Sequence, residues 1–234
     1  KVTVADMKKV SLASYSVQLS QASQPALTLS GSGTLDLESS DTDIKANLDG
    51  ALAQLFKIVV VPDLNVTSGS LKFDGQITQR KESQTIKGNV DLKNFVTRDP
   101  KNSQTSAPLS AQVQLDSAMS KDVFDLKQFQ VTLSPTARAK NQLNITGHFD
   151  LSKTNAIKGN LLVQSDAFDV TPFYDLYARQ PEAKKTEATA PNVPQTSSAP
   201  SNQEPDAMKL PVEQITAEIN IGQFYLREIE IKEW

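Results

Sequence analysis

Gly75-Gln76-Ile77, then Gln79-Arg80-Lys81-Glu82-Ser83, then Ile86-Lys87-Gly88-Asn89-Val90: two alternating runs joined by a polar turn read as an antiparallel hairpin. The phrase occurs twice more. Gly33-Thr34-Leu35-Asp36-Leu37 leads to Ile44-Lys45-Ala46-Asn47-Leu48, and Gly147-His148-Phe149-Asp150-Leu151 leads to Ile157-Lys158-Gly159-Asn160-Leu161. From glycine to isoleucine the separation is eleven, eleven and ten residues. This recurrence predicts a hairpin copied along the chain, hence a repetitive sheet and not a compact enzyme with one catalytic pocket.

Period-two alternation extends outward from these phrases. It runs through Leu27 and Leu29, Leu71 and Phe73, and Leu109, Ala111, Val113 and Leu115. It continues through Leu143 and Ile145, Leu161 and Val163, and Ile215, Ala217, Ile219 and Ile221. Phe124 and Leu126 precede Phe129, Val131 and Leu133, and the slip at Lys127-Gln128 indicates a bulge. The intervening residues are polar, so one face is apolar and the other wet, as in antiparallel meanders. The expected fold is mainly β: a repetitive antiparallel meander forming a curved, groove-like sheet with one or two short helices. Gly31-Ser32-Gly33 reads as a bend or kink, and Asp99 to Pro108 as a longer loop. Helices are expected over 51–56 and near 171–179, the latter with Thr171 as N-cap and Pro172 at the first helical position. From 180 to 209 proline, alanine, glutamate, serine and threonine dominate, which predicts a disordered insert. The organisation is then a β-repeat sheet over 1–179, the insert at 180–209, and a returning hairpin of the same sheet over 210–234.

The bulk composition narrows the function classes. Hydrophobic residues are 38% of 234 and aromatics only 6%, which suits a thin structure better than a two-layer core. Net charge is −3 and no basic tract exceeds a pair, which argues against a nucleic-acid partner. Without cysteine there is neither a disulfide framework nor a thiolate metal site. The most apolar stretch, Leu55 to Val61, is far shorter than the ~20 residues of a membrane span. A start at Lys1 and an end at Glu233-Trp234 suggest an excised or processed piece whose missing flank holds an anchor.

Chemistry is sparse. His148, the single histidine, falls on the wet face of a strand. There is no Gly-x-Ser-x-Gly elbow and no phosphate loop. Asp41-Thr42-Asp43 begins like a calcium loop, but Lys45 occupies the next ligand position. Asp36 and Asp150 share a repeat position, which suggests strand-edge solvation and not a catalytic pair. No catalytic residue, metal site or cofactor is expected, and the chain reads as a non-enzyme.

Three stretches carry a resemblance: Ile86-Lys87-Gly88-Asn89-Val90-Asp91-Leu92-Lys93-Asn94-Phe95; Ala167-Phe168-Asp169-Val170-Thr171-Pro172-Phe173; and Leu210 to Ile229 with its Ile221-Gly222 turn. They resemble the AsmA-like family of bacterial envelope proteins (the AsmA, TamB and YhdP type). The resemblance implies a long twisted sheet with a hydrophobic groove, an inner-membrane anchor and a periplasmic body. It also implies a role in moving phospholipid between envelope membranes or in outer-membrane biogenesis. The expected function is accommodation of lipid acyl chains. The expected lining is Leu35, Leu37, Ile44, Leu48, Leu71, Phe73, Ile86, Val90, Val113, Leu115, Val131, Leu133, Ile145, Phe149, Ile157, Leu161, Ile219 and Ile221. The alternative is a structural or adhesive β-sandwich module with no ligand. A carbohydrate-binding or hydrolytic β-fold would want aromatic platforms, yet Tyr15, Tyr174, Tyr177 and Tyr225 are scattered and the single tryptophan is Trp234.

Overall fold

A computed structural model describes residues 2–5, 8–62, 64–99, 103–153, 155–178 and 212–232. The expected insert at 180–209 lies outside the described residues, as do Leu210, Pro211 and Trp234.

Among the described residues twelve strands form one sheet in chain order. They are β1 (Val2–Ala5), β2 (Lys9–Gln21), β3 (Gln24–Asp36), β4 (Thr42–Ala51), β5 (Asn65–Arg80) and β6 (Ser83–Arg98). Then come β7 (Leu109–Ser120), β8 (Val123–Leu133), β9 (Gln142–Asp150), β10 (Ile157–Asp169), β11 (Val212–Leu226) and β12 (Ile229–Lys232). Helix α1 (Leu52–Ile58) separates β4 from β5, and α2 (Thr171–Ala178) follows β10. The first and last strands do not pair, so the sheet is open. Neighbouring strands in a sheet rotate by roughly 20–25°, so twelve of them curl instead of lying flat.

The meander is antiparallel except at one joint. β10 and β11 are parallel, with Leu161 opposite Ala217 and Val163 opposite Ile219. A parallel neighbour requires the chain to return the full height of the sheet before pairing. The expected mainly β, antiparallel meander is observed, with this one parallel joint added to it. Alternation reports which face a residue takes and carries no strand direction.

The repeated phrase spans β3–β4, β5–β6 and β9–β10, but its copies are not in equivalent register. Gly33 pairs with Ile44, Gly75 with Gly88, and Gly147 with Leu161. The partner thus moves by two positions from copy to copy. The sequence phrase is a composition shared by three hairpins, each with its own turn.

Glycines in these phrases make room on the apolar face. A Cβ at Gly75 would run into the Phe73 ring, and one at Gly159 into the Phe149 ring. Gly31 pairs with Tyr15 and leaves space for its ring. The bend expected at Gly31-Ser32-Gly33 is instead a straight run of β3. The irregularity is in its partner, where Ala13 and Ser14 of β2 bulge between Leu12 and Tyr15. Further bulges fall between Leu92 and Phe95 in β6 and at Lys127 in β8. The last is the one the alternation predicts.

The two edges of the sheet differ. One carries short turns: 37–41, Lys81-Glu82, Lys121-Asp122 and 151–156. The other carries α1, the 99–108 connection, the 134–141 loop and α2. Helix α1 starts and ends one or two residues later than expected. Its Leu52 is buried and lodges over Gly69, whose φ of 136° and missing Cβ permit the approach. Helix α2 is capped differently from expectation. Val170 precedes it and its carbonyl accepts from Phe173 and Tyr174, while the Asp169 carboxylate accepts from the Thr171 backbone N–H. The Thr171 hydroxyl is turned to Arg138 and Arg227 instead.

The two glycines of Gly31-Ser32-Gly33 separate packing from propensity. A Cβ at Gly31 meets the Lys45 carbonyl and the Tyr15 hydroxyl, whereas at Gly33 its nearest neighbours stand 3.7 Å away. Gly31→Ala is expected to destabilise the fold by about 1–3 kcal/mol. Gly33→Ala should stay within about 0.5 kcal/mol of the parent. Urea midpoints of the two variants measure the difference.

Candidate functional site

Residues directly opposite one another across paired strands point to the same face, so register alone builds the surface. One rung runs Leu12, Gly33, Ile44, Ile77, Ile86, Ser117, Leu126, Gly147, Leu161 and Ala217. The next runs Tyr15, Gly31, Ala46, Gly75, Gly88, Leu115, Phe129, Ile145, Val163 and Ile219. A third runs Val17, Leu29, Leu48, Phe73, Val90, Val113, Val131 and Leu143. A fourth runs Leu19, Leu27, Gly50, Leu71, Leu92, Ala111 and Leu133. These four rungs carry no charged residue. The register puts the expected lining residues on this one face, with the exception of Leu37. Leu37 lies past the end of β3, where its N–H donates to the Lys8 carbonyl, and it is exposed.

The reverse face is equally regular. Asn47, Asp74, Asn89, Gln114, Gln130, Asn144, Gln164 and Asn220 follow one another in register across eight strands. Lys45 and Lys87 of the repeated phrase are exposed there, and Lys87 pairs with Asp116 at 3.1 Å.

Burial is graded from one edge to the other. Among the described residues Ala26, Leu52, Val66, Leu109, Ala139 and Tyr225 are the buried hydrophobic ones, and all lie at the edge that carries the helices and long connections. Toward the short turns Leu35, Ile44, Ile77, Met119 and Ile215 are exposed. The next rung in that direction turns polar at its centre with Thr42, Gln79 and Gln84. The apolar face is therefore closed along one edge and open along the other. In the connection after α1, Val59, Val60 and Val61 are also exposed, but they lie outside the rungs.

Two plugs make the closed edge. Helix α1 covers the ends of β2 to β5. At the other end a polar cluster holds the 134–141 loop, α2 and the β11–β12 turn together. Asp169, 2% exposed, is its centre. Its Oδ2 accepts from Thr136 Oγ1 at 3.0 Å and from Arg138 Nε at 3.0 Å, and Arg138 Nη2 stands 2.9 Å away. Arg138 also donates to the Arg227 carbonyl and lies over the Tyr225 ring, 4.6 Å from its centroid. Arg227 pairs with Asp175 at 2.9 Å and covers Tyr174. Asn141, fully buried, accepts from the Asp169 N–H at 2.6 Å and donates to the Ser134 carbonyl at 2.7 Å. Burial alone would push the Asp169 carboxyl up. Donors from Thr171, Thr136 and Arg138 outweigh it and hold the group below the usual carboxylate range. The cluster's donors and acceptors are spent on one another, so it works as a lock between segments.

The sequence offered signals for this cluster only in part. Asp169, Thr171 and Pro172 stand in a recognisable helix-start pattern, but Thr136, Arg138 and Asn141 come from a loop without periodicity. Elsewhere the expected exposure of His148 is observed, and its Nδ1 lies 2.6 Å from Asp125 Oδ1 on the polar face. Asp36 and Asp150 stand at the ends of β3 and β9, as expected, and Asp150 is exposed. Asp36 accepts from the Glu38 and Ser39 N–H groups and Asp150 from Ser152, so both close the turns that follow them. Those bonds hold both carboxyls below the usual range. Among the described residues no group of three metal-ligating side chains converges, and no helix is long and apolar enough to cross a membrane.

Among the described residues the class defined is an open, single-layer β-meander with one uncovered apolar face closed along one edge. No family model, curated protein or solved structure matches the chain.

Asp36, Asp150 and Asp169 all have folded-state values below those of the unfolded chain. Their contribution is then present above about pH 4, the ordinary carboxylate value, and is lost as pH falls through the lower folded values. Stability should hold from neutral pH to about pH 5 and fall steeply below it. Asp169→Asn should flatten part of that slope in urea titrations at stepped pH. Arg138→Ala should cost about 3 kcal/mol at neutral pH by leaving the Asp169 charge buried and uncompensated.

Proposed function

We propose that the chain is a non-enzymatic module that accommodates lipid acyl chains on its apolar face, as part of an AsmA-like bacterial envelope protein. The observation that carries this reading is the four-rung apolar surface, with no second layer over it among the described residues, closed along one edge and open along the other. A surface of that size exposed to water calls for an occupant. Acyl chains need no polar anchor: each CH₂ moved out of water contributes about 0.8 kcal/mol, so a dozen carbons suffice for stable retention. Tails lie across the rungs toward the closed edge. Head groups remain at the short-turn edge, where Gln79, Lys81, Glu82, Gln84, Lys121 and Asp122 gather around one depression of mixed charge. The glycines fit this role, because Gly75, Gly88, Gly147 and Gly159 keep the second rung and its neighbours low beside the Phe73 and Phe149 rings.

The resemblance of the three quoted stretches to the AsmA-like family extends the proposal to location and task. The setting is the periplasmic side of a bacterial envelope, with an inner-membrane anchor in the complete protein. The task is movement of phospholipid between membranes or support of outer-membrane biogenesis.

The chain incubated with phosphatidylethanolamine and phosphatidylglycerol vesicles, then repurified, should carry phospholipid in native mass spectra. Val113→Asp and Ile145→Asp should each remove that lipid. Gln114→Asp, one residue away on the polar face, should retain it. A parent chain that returns from the vesicles empty would overturn the proposal and favour a structural module whose face is covered by protein.

A further inference from the structure

The flanks of the sheet are as unusual as its face. β1 covers β2 only over Lys9–Leu12, and β12 covers β11 only over Gln223–Leu226. Among the described residues nothing pairs with the outer edge of β2 from Ala13 to Gln21, or with that of β11 from Val212 to Gly222. Each is a long row of backbone donors and acceptors, and exposed edges of this length are normally blunted by charge, proline or a bulge. The free part of β2 reads Ala13-Ser14-Tyr15-Ser16-Val17-Gln18-Leu19-Ser20-Gln21, without a charge or a proline, and its bulge at Ala13-Ser14 lies at the very start of the free stretch. Its apolar residues end the rungs in solvent: Val17 is 63% and Leu19 41% exposed, and Ile219 on the opposite flank is 41% exposed.

The two flanks are complementary in direction and in height. β2 to β10 alternate, which leaves β10 running with β2, and the parallel joint turns β11 the same way. β1 and β12 both run the opposite way. β1 covers the half of its flank near the short turns, and β12 covers the half near the long connections. The notch on each flank therefore has the position and strand direction of the short strand on the other.

We propose that a second copy of this chain occupies these notches, head to tail. β11 of one copy stands two strand spacings from β2 of the next. β12 of the first and β1 of the second lie end to end between them as one composite strand, antiparallel to both neighbours. Every new contact is then antiparallel. Such an interface uses different surfaces on its two sides, so it does not close on itself in a pair and propagates instead. It stands independently of the lipid reading, because it rests on strand edges and would form with an empty face.

Size-exclusion chromatography with light scattering, across a dilution series of the parent chain, should show species at successive multiples of one chain mass. Val17→Lys damages the β2 notch and Ile219→Lys the β11 notch, both at exposed positions that leave the fold intact by circular dichroism. Each variant alone should be monomeric, its dissociation constant raised about tenfold or more, which corresponds to 1.4 kcal/mol. Mixed in equal amounts they should form a dimer and nothing larger, because each retains the notch that the other lacks. A parent chain that is monomeric at its highest soluble concentration overturns the proposal. So does a mixture that stays monomeric, or a single variant that still dimerises through like edges.

Discussion

Side chains on a strand alternate between faces, so one uncompensated residue inverts everything downstream. Among the described residues the sheet is one layer thick, with no second layer to mask such an error. The whole molecule depends on keeping one parity through ten successive strands, β2 to β11. Several register shifts lie along these strands, and three of them fall between apolar residues and maintain it. Ala13-Ser14 returns Tyr15 to the face of Leu12, Lys93-Asn94 returns Phe95 to the face of Leu92, and Lys127 returns Phe129 to the face of Leu126. Asn94 takes a positive φ of 51° within its bulge, a conformation asparagine tolerates better than most residues. Through these insertions the chain changes length locally without moving an apolar side chain into water.

That single-face surface must end somewhere, and its two ends are made of different materials. Along the edge of long connections it ends in plugs. One is apolar, with Leu52 over Gly69. The other is polar, with Asp169 held by Arg138, Thr136 and Thr171. The polar plug ties the parallel joint, because its groups come from the loop before β9, the end of β10, α2 and the β11–β12 turn. Along the opposite edge the face ends in glutamines and lysines at short turns.

Much of this was legible in the sequence because alternation is a direct image of a two-faced strand. The face assignment of residues such as Ile44, Phe73, Val113 and Ile145 follows from parity alone. The bulge at Lys127 was visible as a break in phase, and the same break at Leu12–Tyr15 and at Leu92–Phe95 was equally readable. Strand direction was not legible: Ile215 to Ile221 alternate identically whether β11 runs up or down. The repeated phrase misled about register, because register is set by turn length and hairpin geometry as well as by the residues that flank the turn. The lock around Asp169 was hidden for another reason. Its members are polar residues separated by about thirty positions and joined only by folding, and nothing in local composition distinguishes Arg138 from a solvated arginine.

The meander order has a consequence for how the molecule comes apart. Apart from α1, which reaches β2, β3 and β5, each strand touches mainly its neighbours in the chain. Cohesion is then close to a sum of adjacent joints, as in a solenoid, and a flank can fray while the middle stays folded. Hairpin joints re-form quickly because loop closure is short. The β10–β11 joint is the exception, since its strands meet only after a long excursion of the chain. It is the slowest link to remake and the one that most needs a latch. That is where Asp169 and Asn141 are buried.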